Sequence, residues 1–250
     1  MRNTLDAARL RARAAAIDGL RLPDRASRAA AARRGGSDAF EAAWAARRSE
    51  VDRAGAIACA AGCATCCHQH VAVALVEAVA IADAIAGDAR RATRVAEAAP
   101  RIGVLTALER RRARIPCPFL EPDGRCGIYE IRPIRCRGVH SRDVDLCRSQ
   151  TEFPDAAAAE RAARHAVPHA FPLAPVQIAD AALTGLALAQ QDAGIATDTL
   201  ELVTALGLLL RDPERARAAM AGQDDLAEAR LNPDARPVAA MDAPAYSPGA

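Results

Sequence analysis

All eight cysteines of this 250-residue chain fall between Cys59 and Cys147, and that concentration constrains the fold more than any other feature. They form a compact set, Cys59, Cys63, Cys66 and Cys67, and a dispersed set in a Pro- and Arg-rich segment, Cys117, Cys126, Cys136 and Cys147. Thiols buried only for packing have no reason to gather in one stretch. A thiolate is a soft donor, so four-sulfur sites select zinc or iron–sulfur clusters over magnesium, calcium or manganese. The pattern therefore predicts that all eight cysteines are metal ligands, for zinc or for iron, with an iron–sulfur cluster as one form. Eight cysteines in 250 residues is far below the roughly 8–10% that marks a short disulfide scaffold. The segment Met1–Leu20 carries Arg9, Arg11 and Arg13 where a secretory signal needs an apolar core. The expected location is cytoplasmic, because in a reducing compartment metal explains clustered thiols better than disulfides do.

Composition narrows the scaffold and excludes several chemistries. The hydrophobic fraction is 51% but aromatic residues are only 3%, and much of the remainder is alanine. Such a chain suits close-packed helices and is poor in strand formers. The expected fold is mainly α, a helical scaffold around an irregular, metal-organised, cysteine-rich centre with a short hairpin. A net charge of +2 gives no pull towards nucleic acid or an anionic membrane surface. No stretch reaches the roughly 18 uninterrupted apolar residues of a membrane span. The expected partner is a metal ion, with neither nucleic acid nor membrane. All 33 basic residues are Arg, so a P-loop lysine, a Schiff-base lysine and a Ser-x-x-Lys pair are excluded. GxGxxG, GxSxG and HExxH motifs are also missing, which leaves the cysteines as the only chemistry on display. Eight thiolates suffice to close two four-coordinate sites, favouring structural, storage or electron-transfer roles over hydrolysis.

Four segments are expected: an N-terminal helical segment over 1–54, the cysteine cluster over 55–150, a C-terminal helical segment packed on it over 151–231, and a Pro-rich disordered tail over 232–250. The first helix runs Leu5–Leu20. Arg33 to Gly36 read as a flexible joint, after which Ser37 or Asp38 caps a long helix burying Phe40, Ala43, Trp44, Val51 and Ile57. That helix would deliver Cys59 and Cys63 on one face, with Gly62 ending it. Neighbouring side chains diverge on regular backbone, so Cys66 and Cys67 imply two metals, a bridged centre or a sharp turn. His68 and His70 lie in a short alternating stretch through Val73 and read as polar turn residues rather than ligands.

Helices follow over 75–86, 89–98 and 104–114, with Arg110, Arg111, Arg112 and Arg114 as a solvated face. Pro122-Asp123-Gly124 is a tight turn whose hairpin brings Cys117 close to Cys126. Pro133 opens a short helix carrying Cys136. Arg125, Arg132, Arg135 and Arg137 either offset thiolate charge or lie on the surface, and His140 and Asp143 either support the ligands or face solvent. His165 and His169 read as structural. Further helices are expected over 179–191 and 198–210, the second with Asp198 and Glu201 spaced as a capping box, and another opens at Asp212-Pro213 and closes at Gly222.

The motifs Gly62-Cys63-Ala64-Thr65-Cys66-Cys67-His68, Pro116-Cys117-Pro118-Phe119-Leu120, and Gly124-Arg125-Cys126-Gly127-Ile128-Tyr129-Glu130-Ile131-Arg132-Pro133 leading to Cys136-Arg137-Gly138 carry a specific resemblance. Over about residues 55–150 the chain resembles the YkgJ family of cysteine cluster proteins, the CxxCxxCC group described as zinc- or iron-chelating domains. The resemblance implies bound zinc or iron, often an iron–sulfur cluster, and no settled reaction. Three residues separate Cys59 from Cys63 where the family name implies two, which sets Cys59 apart from the other seven. Flagellin lysine N-methylases carry a similar cysteine motif, so an iron–sulfur redox or group-transfer enzyme stands as one alternative, although no glycine-rich S-adenosylmethionine loop accompanies it. A zinc-organised binding module is the other.

Overall fold

Alanines four residues apart give the first helix a flat, narrow face. The computed structural model describes residues 1–152 and 170–231, and in it α1 (Arg2–Leu20) buries Ala8, Ala12 and Ala16 along that face. Small side chains let helix backbones approach closely. Helix α1 accordingly packs on both α2 (Arg25–Arg53) and the late helix α8 (Leu173–Asp192), and these two also touch each other. Phe40, Ala43, Trp44 and Val51 of α2 are buried as expected, whereas Ile57 lies beyond the helix end.

Helix α2 departs from expectation at its start and middle. Asp24 caps it by accepting the Ser27 N–H at 2.8 Å, and it runs unbroken through Gly35 and Gly36, so no joint exists there. A Cβ on Gly35 would lie 2.5 Å from the Ala15 Cβ, and one on Gly36 would lie 2.9 Å from side-chain tips of Ile134 and Leu186. These glycines serve close packing instead of bending. Ser37 is buried within the helix and caps nothing. Gly35→Ala supplies a direct check. In a loosely packed helix it would add about 1 kcal/mol of stability. Here the clash with Ala15 outweighs that gain, and overpacking of about 1–3 kcal/mol predicts a net loss in urea denaturation.

A second layer forms around α3 (Leu75–Ile85), where only Asp83 and Ala84 escape burial. It packs on α2 and α9 (Leu202–Arg211), and α4 (Ala89–Ile102) packs on α9 and touches α3. Strand β1 (Ala72–Val73) pairs antiparallel with β2 (Leu200–Glu201), setting Ala72 opposite Glu201 and Val73 opposite Leu200. Glu77 of α3 is wholly buried. Its Oε1 accepts the Ile134 N–H at 2.8 Å and its Oε2 the Ala74 N–H at 3.1 Å. One carboxylate thus ties the start of α3 to the start of α6 (Ile134–Gly138), the helix carrying Cys136. Pro133 is the cap of α6, one place before the position expected of it.

Several boundaries move for local reasons. Helix α5 (Ala107–Arg112) is shorter than expected because the Thr106 hydroxyl and the Glu109 carboxylate close a capping box around its start. Glu201, not Asp198, caps α9, accepting the Thr204 N–H at 2.8 Å. Asp212 and Pro213 begin α10 (Pro213–Met220) as expected. His165, His169 and the 232–250 segment lie outside the described residues. Among the described residues no helix is long and apolar enough to cross a membrane.

Candidate metal centre

Helix α2 ends at Arg53, so Cys59 and Cys63 do not share a helical face. The chain instead descends as an irregular loop fastened to Ser141. The Ala58 N–H donates to Ser141 O at 2.8 Å, and the Ser141 N–H donates to Cys59 Sγ at 3.2 Å. The Ser141 hydroxyl donates to Asp143 O at 2.9 Å, and its side chain favours the thiolate of Cys147. Ser141 is buried and central to this loop, a role nothing in its sequence context signalled.

Cys66 and Cys67 occupy a single 3₁₀ turn, Thr65–His68. In it the two thiols lie close enough to share a hydrogen bond, which fits the sharp turn among the readings of adjacent cysteines. The bond from Cys67 lowers the Cys66 pKa to about 7 against the opposing effect of burial. The same bond pushes Cys67 far up, helped by burial and by the neighbouring Cys66, Cys117 and Cys136 thiolates.

The dispersed set reaches this turn through a hairpin. Leu120 bridges to Cys126, the Glu121 N–H donates to Arg125 O at 2.8 Å, and the Gly127 N–H donates to Phe119 O at 2.7 Å. Gly124 at the tip has φ +79°, and a Cβ there would lie 2.5 Å from Gly62 O. Only glycine fits a left-handed position pressed against another backbone. A second tie comes from the Cys117 N–H, which donates to Cys67 O at 2.7 Å. The two halves of the cysteine segment therefore meet.

Their meeting regroups the thiols. Cys59 feels the charge of Cys63 and Cys66, and Cys147 feels Cys59, Cys63 and Cys66. Cys67 instead neighbours Cys117 and Cys136, Cys117 neighbours Cys126, and Cys136 neighbours Cys117, Cys66 and Cys126. Cys147 thus stands with Cys59 and Cys63 as an outer group and Cys67 with Cys117 and Cys136 as an inner one, while Cys66 acts on Cys126 and Cys136 as well as on Cys59 and Cys147. Burial raises Cys117 to about 11 and Cys136 well above the ordinary thiol range. All eight cysteines are free thiols. Among the described residues no three Cys, His, Asp or Glu side chains already stand as a ready ligand set. The donor chemistry nevertheless suits a soft cation: each thiolate raises its neighbours' pKa values, and a bound cation would reverse that penalty.

Of Arg125, Arg132, Arg135 and Arg137, Arg132 favours the thiolates of Cys66, Cys126 and Cys136. Its guanidinium stacks 3.9 Å from the Tyr129 ring centroid. The others pair with carboxylates: Arg125 with Asp123 at 3.7 Å, Arg135 with Asp180 at 2.5 Å and Arg137 with Glu41 at 2.9 Å. His140 stacks on Trp44 with centroids 5.2 Å apart. Asp143 Oδ1 accepts the Leu146 N–H at 2.8 Å near the start of α7 (Val144–Glu152), the helix that carries Cys147.

The largest departure is Arg110, expected on a solvated face but only 1% exposed. Its Nη1 lies 3.3 Å from Glu201 Oε1, and His70 Nδ1 lies 3.5 Å from the same oxygen. His70 Nε2 is 2.8 Å from Leu105 O, so this histidine is a buried network member rather than a turn residue. The Arg110 charge favours the Cys117 thiolate, while Glu201 opposes it. Ala107 and Ala113, three places either side of Arg110, were the one sequence sign of an apolar face.

Beside the outer thiols lies a cavity of about 510 Å³ lined in part by Cys63, His68, Val144 and Arg148. His68 Nδ1 is buried without a hydrogen-bond partner.

Residues 58–158 match the family model CxxCxxCC, described as "Putative zinc- or iron-chelating domain", a span holding all eight cysteines. No curated protein and no solved structure matches the chain.

Proposed function

We propose that this CxxCxxCC domain binds metal at two thiolate centres, each built from both halves of its cysteine segment. Cys59, Cys63, Cys66 and Cys147 form the outer centre. Cys67, Cys117, Cys126 and Cys136 form the inner one. The single observation that carries this reading is the Cys117 N–H to Cys67 O bond at 2.7 Å, which lays the dispersed thiols against the Cys66–Cys67 turn. Four thiolates give zinc or an iron–sulfur cluster a closed site with net negative charge, which suits a structural, storage or transfer role. Arg132 and Arg110 would offset part of that charge. A cytoplasmic setting keeps such thiols reduced and available. The bound metal would supply the cross-link that the irregular loop lacks, since binding of this kind is coupled to folding.

Anaerobic purification followed by metal analysis tests the proposal. Stoichiometric zinc without colour identifies chelated zinc, whereas iron with acid-labile sulfide and broad visible absorption identifies a cluster. A preparation that is folded and holds neither metal, even after anaerobic reconstitution, overturns the reading.

A further inference from the structure

Helix α2 stops at Arg53, and the last carbonyls of a helix need donors from outside it. Arg142, far along the chain, supplies them. Its Nη2 donates to Val51 O at 2.7 Å and its Nε to Gly55 O at 2.6 Å, so one planar guanidinium spans the helix end and the loop residue beyond it. A cation at this position also complements the negative end of the helix dipole. The fork needs room. Gly55 has φ +131°, and a Cβ there would lie 3.0 Å from Arg142 Cδ, so glycine both adopts that backbone and lets the arginine stem pass.

The neighbouring backbone carries this clasp on to a thiol. The Ala58 N–H donates to Ser141 O at 2.8 Å, and the Ser141 N–H donates to Cys59 Sγ at 3.2 Å. The far side of the clasp is anchored on Ala170 O, which accepts the Arg142 N–H at 2.8 Å and the Ser141 hydroxyl at 3.2 Å. Ser141 is only 2% exposed, whereas Cys59 itself is exposed. In its bond from Ser141 the sulfur is the acceptor, a role it keeps when a metal takes the place of the thiol proton.

We infer that Arg142 is a positioning residue for Cys59: by fixing the end of α2 and Gly55, it holds the loop so that the Cys59 sulfur rests on the Ser141 N–H. The inference uses the metal-binding reading above only in taking Cys59 as a ligand. Neither helix nor strand connects Cys59 to Cys63, and three residues separate them where the family name has two, so local backbone gives Cys59 no fixed place. The clasp gives it one from a segment more than eighty residues away. A lysine could not do the same, because its ammonium is a single point and cannot span two carbonyls as a planar fork does.

The full chain, prepared anaerobically and reconstituted with zinc, is pulsed with iodoacetamide, and labelling at each cysteine is read by peptide mass spectrometry. Arg142→Met should raise the labelling rate at Cys59 roughly tenfold, the effect of one lost hydrogen bond on a local opening. Cys117, Cys126 and Cys136 should keep their rates. Arg142→Lys, which reaches one carbonyl, should recover part of the protection. If Arg142→Met does not fold, Gly55→Ala, which presses a Cβ on the same stem, carries the test with the same expected contrast. An unchanged Cys59 rate in a folded variant, or equal acceleration at all eight thiols, overturns the inference. A chain that takes up no zinc overturns the metal-binding reading alone, because the same labelling contrast is then read in the metal-free chain.

Discussion

Glu201→Ala should cost about 3–5 kcal/mol of folding stability, because it strands a buried cation. The carboxylate is wholly buried. One oxygen is shared by Arg110 at 3.3 Å and His70 at 3.5 Å, and the other accepts the Thr204 N–H at 2.8 Å and the Thr204 hydroxyl at 2.9 Å. Removing it leaves a guanidinium that is 1% exposed and already has one nitrogen, Nη2, without a partner. Arg110→Met combined with Glu201→Leu should recover much of the loss, since a buried pair replaced by apolar residues of similar size is often neutral. Equal losses in the double variant and in Glu201→Ala would show that the network is not the source of the effect.

The same carboxylate predicts a pH dependence. Burial pushes the Glu201 pKa up, but the neighbouring His70 and the charge of Arg110 outweigh it and hold the group below 4.5. Its folded value is therefore lower than its unfolded one. The stability it contributes is present above about pH 4.5 and is lost as pH falls through the folded value. Glu77 works the other way. Its burial raises the folded pKa above 4.5, so its contribution is full below that pH and declines as pH rises through the raised value. Glu201→Gln should flatten the acid limb of a stability profile measured by urea denaturation, and Glu77→Gln should remove a loss at higher pH.

The second large effect concerns metal content. Cys67→Ser and Cys117→Ser should each remove the same equivalent of metal, and combining them should remove no more. Cys63→Ser should remove the other equivalent, so that Cys63→Ser with Cys117→Ser leaves the chain empty. Chain order alone predicts the opposite pairing, with Cys63 and Cys67 together. The physical basis is the Cys117 N–H to Cys67 O bond at 2.7 Å, with the mutual charge effects among Cys67, Cys117 and Cys136. Zinc bound by four protein ligands contributes on the order of 10 kcal/mol to the folded state. The thermal midpoint should therefore fall sharply in the inner-group variants. Metal per chain and thermal midpoint, measured on anaerobic preparations, decide the matter. If Cys63→Ser and Cys67→Ser deplete one common equivalent and Cys117→Ser none, the compact set acts alone and the regrouping is wrong.

What could be read along the chain came from local physics. The Asp212-Pro213 helix start, the turn at Gly124 and the apolar face carrying Phe40, Ala43 and Trp44 follow from contacts within a few residues, and they appear where expected. The helical class and the concentration of thiols belong to the same level. Glycine in isolation signals a flexible chain, and only the approach of Ala15, Ile134 and Leu186 makes Gly35 and Gly36 packing residues. The burial of Arg110 is not legible locally, because its anionic partner lies 91 residues away. Cysteine spacing shows that thiols are dense in one segment but not which distant segment is laid against the Cys66–Cys67 turn. That pairing depends on a hairpin tip pressed onto Gly62, a carboxylate joining α3 to α6 and a serine fastening the Cys59 loop, contacts that exist only after the helices have packed.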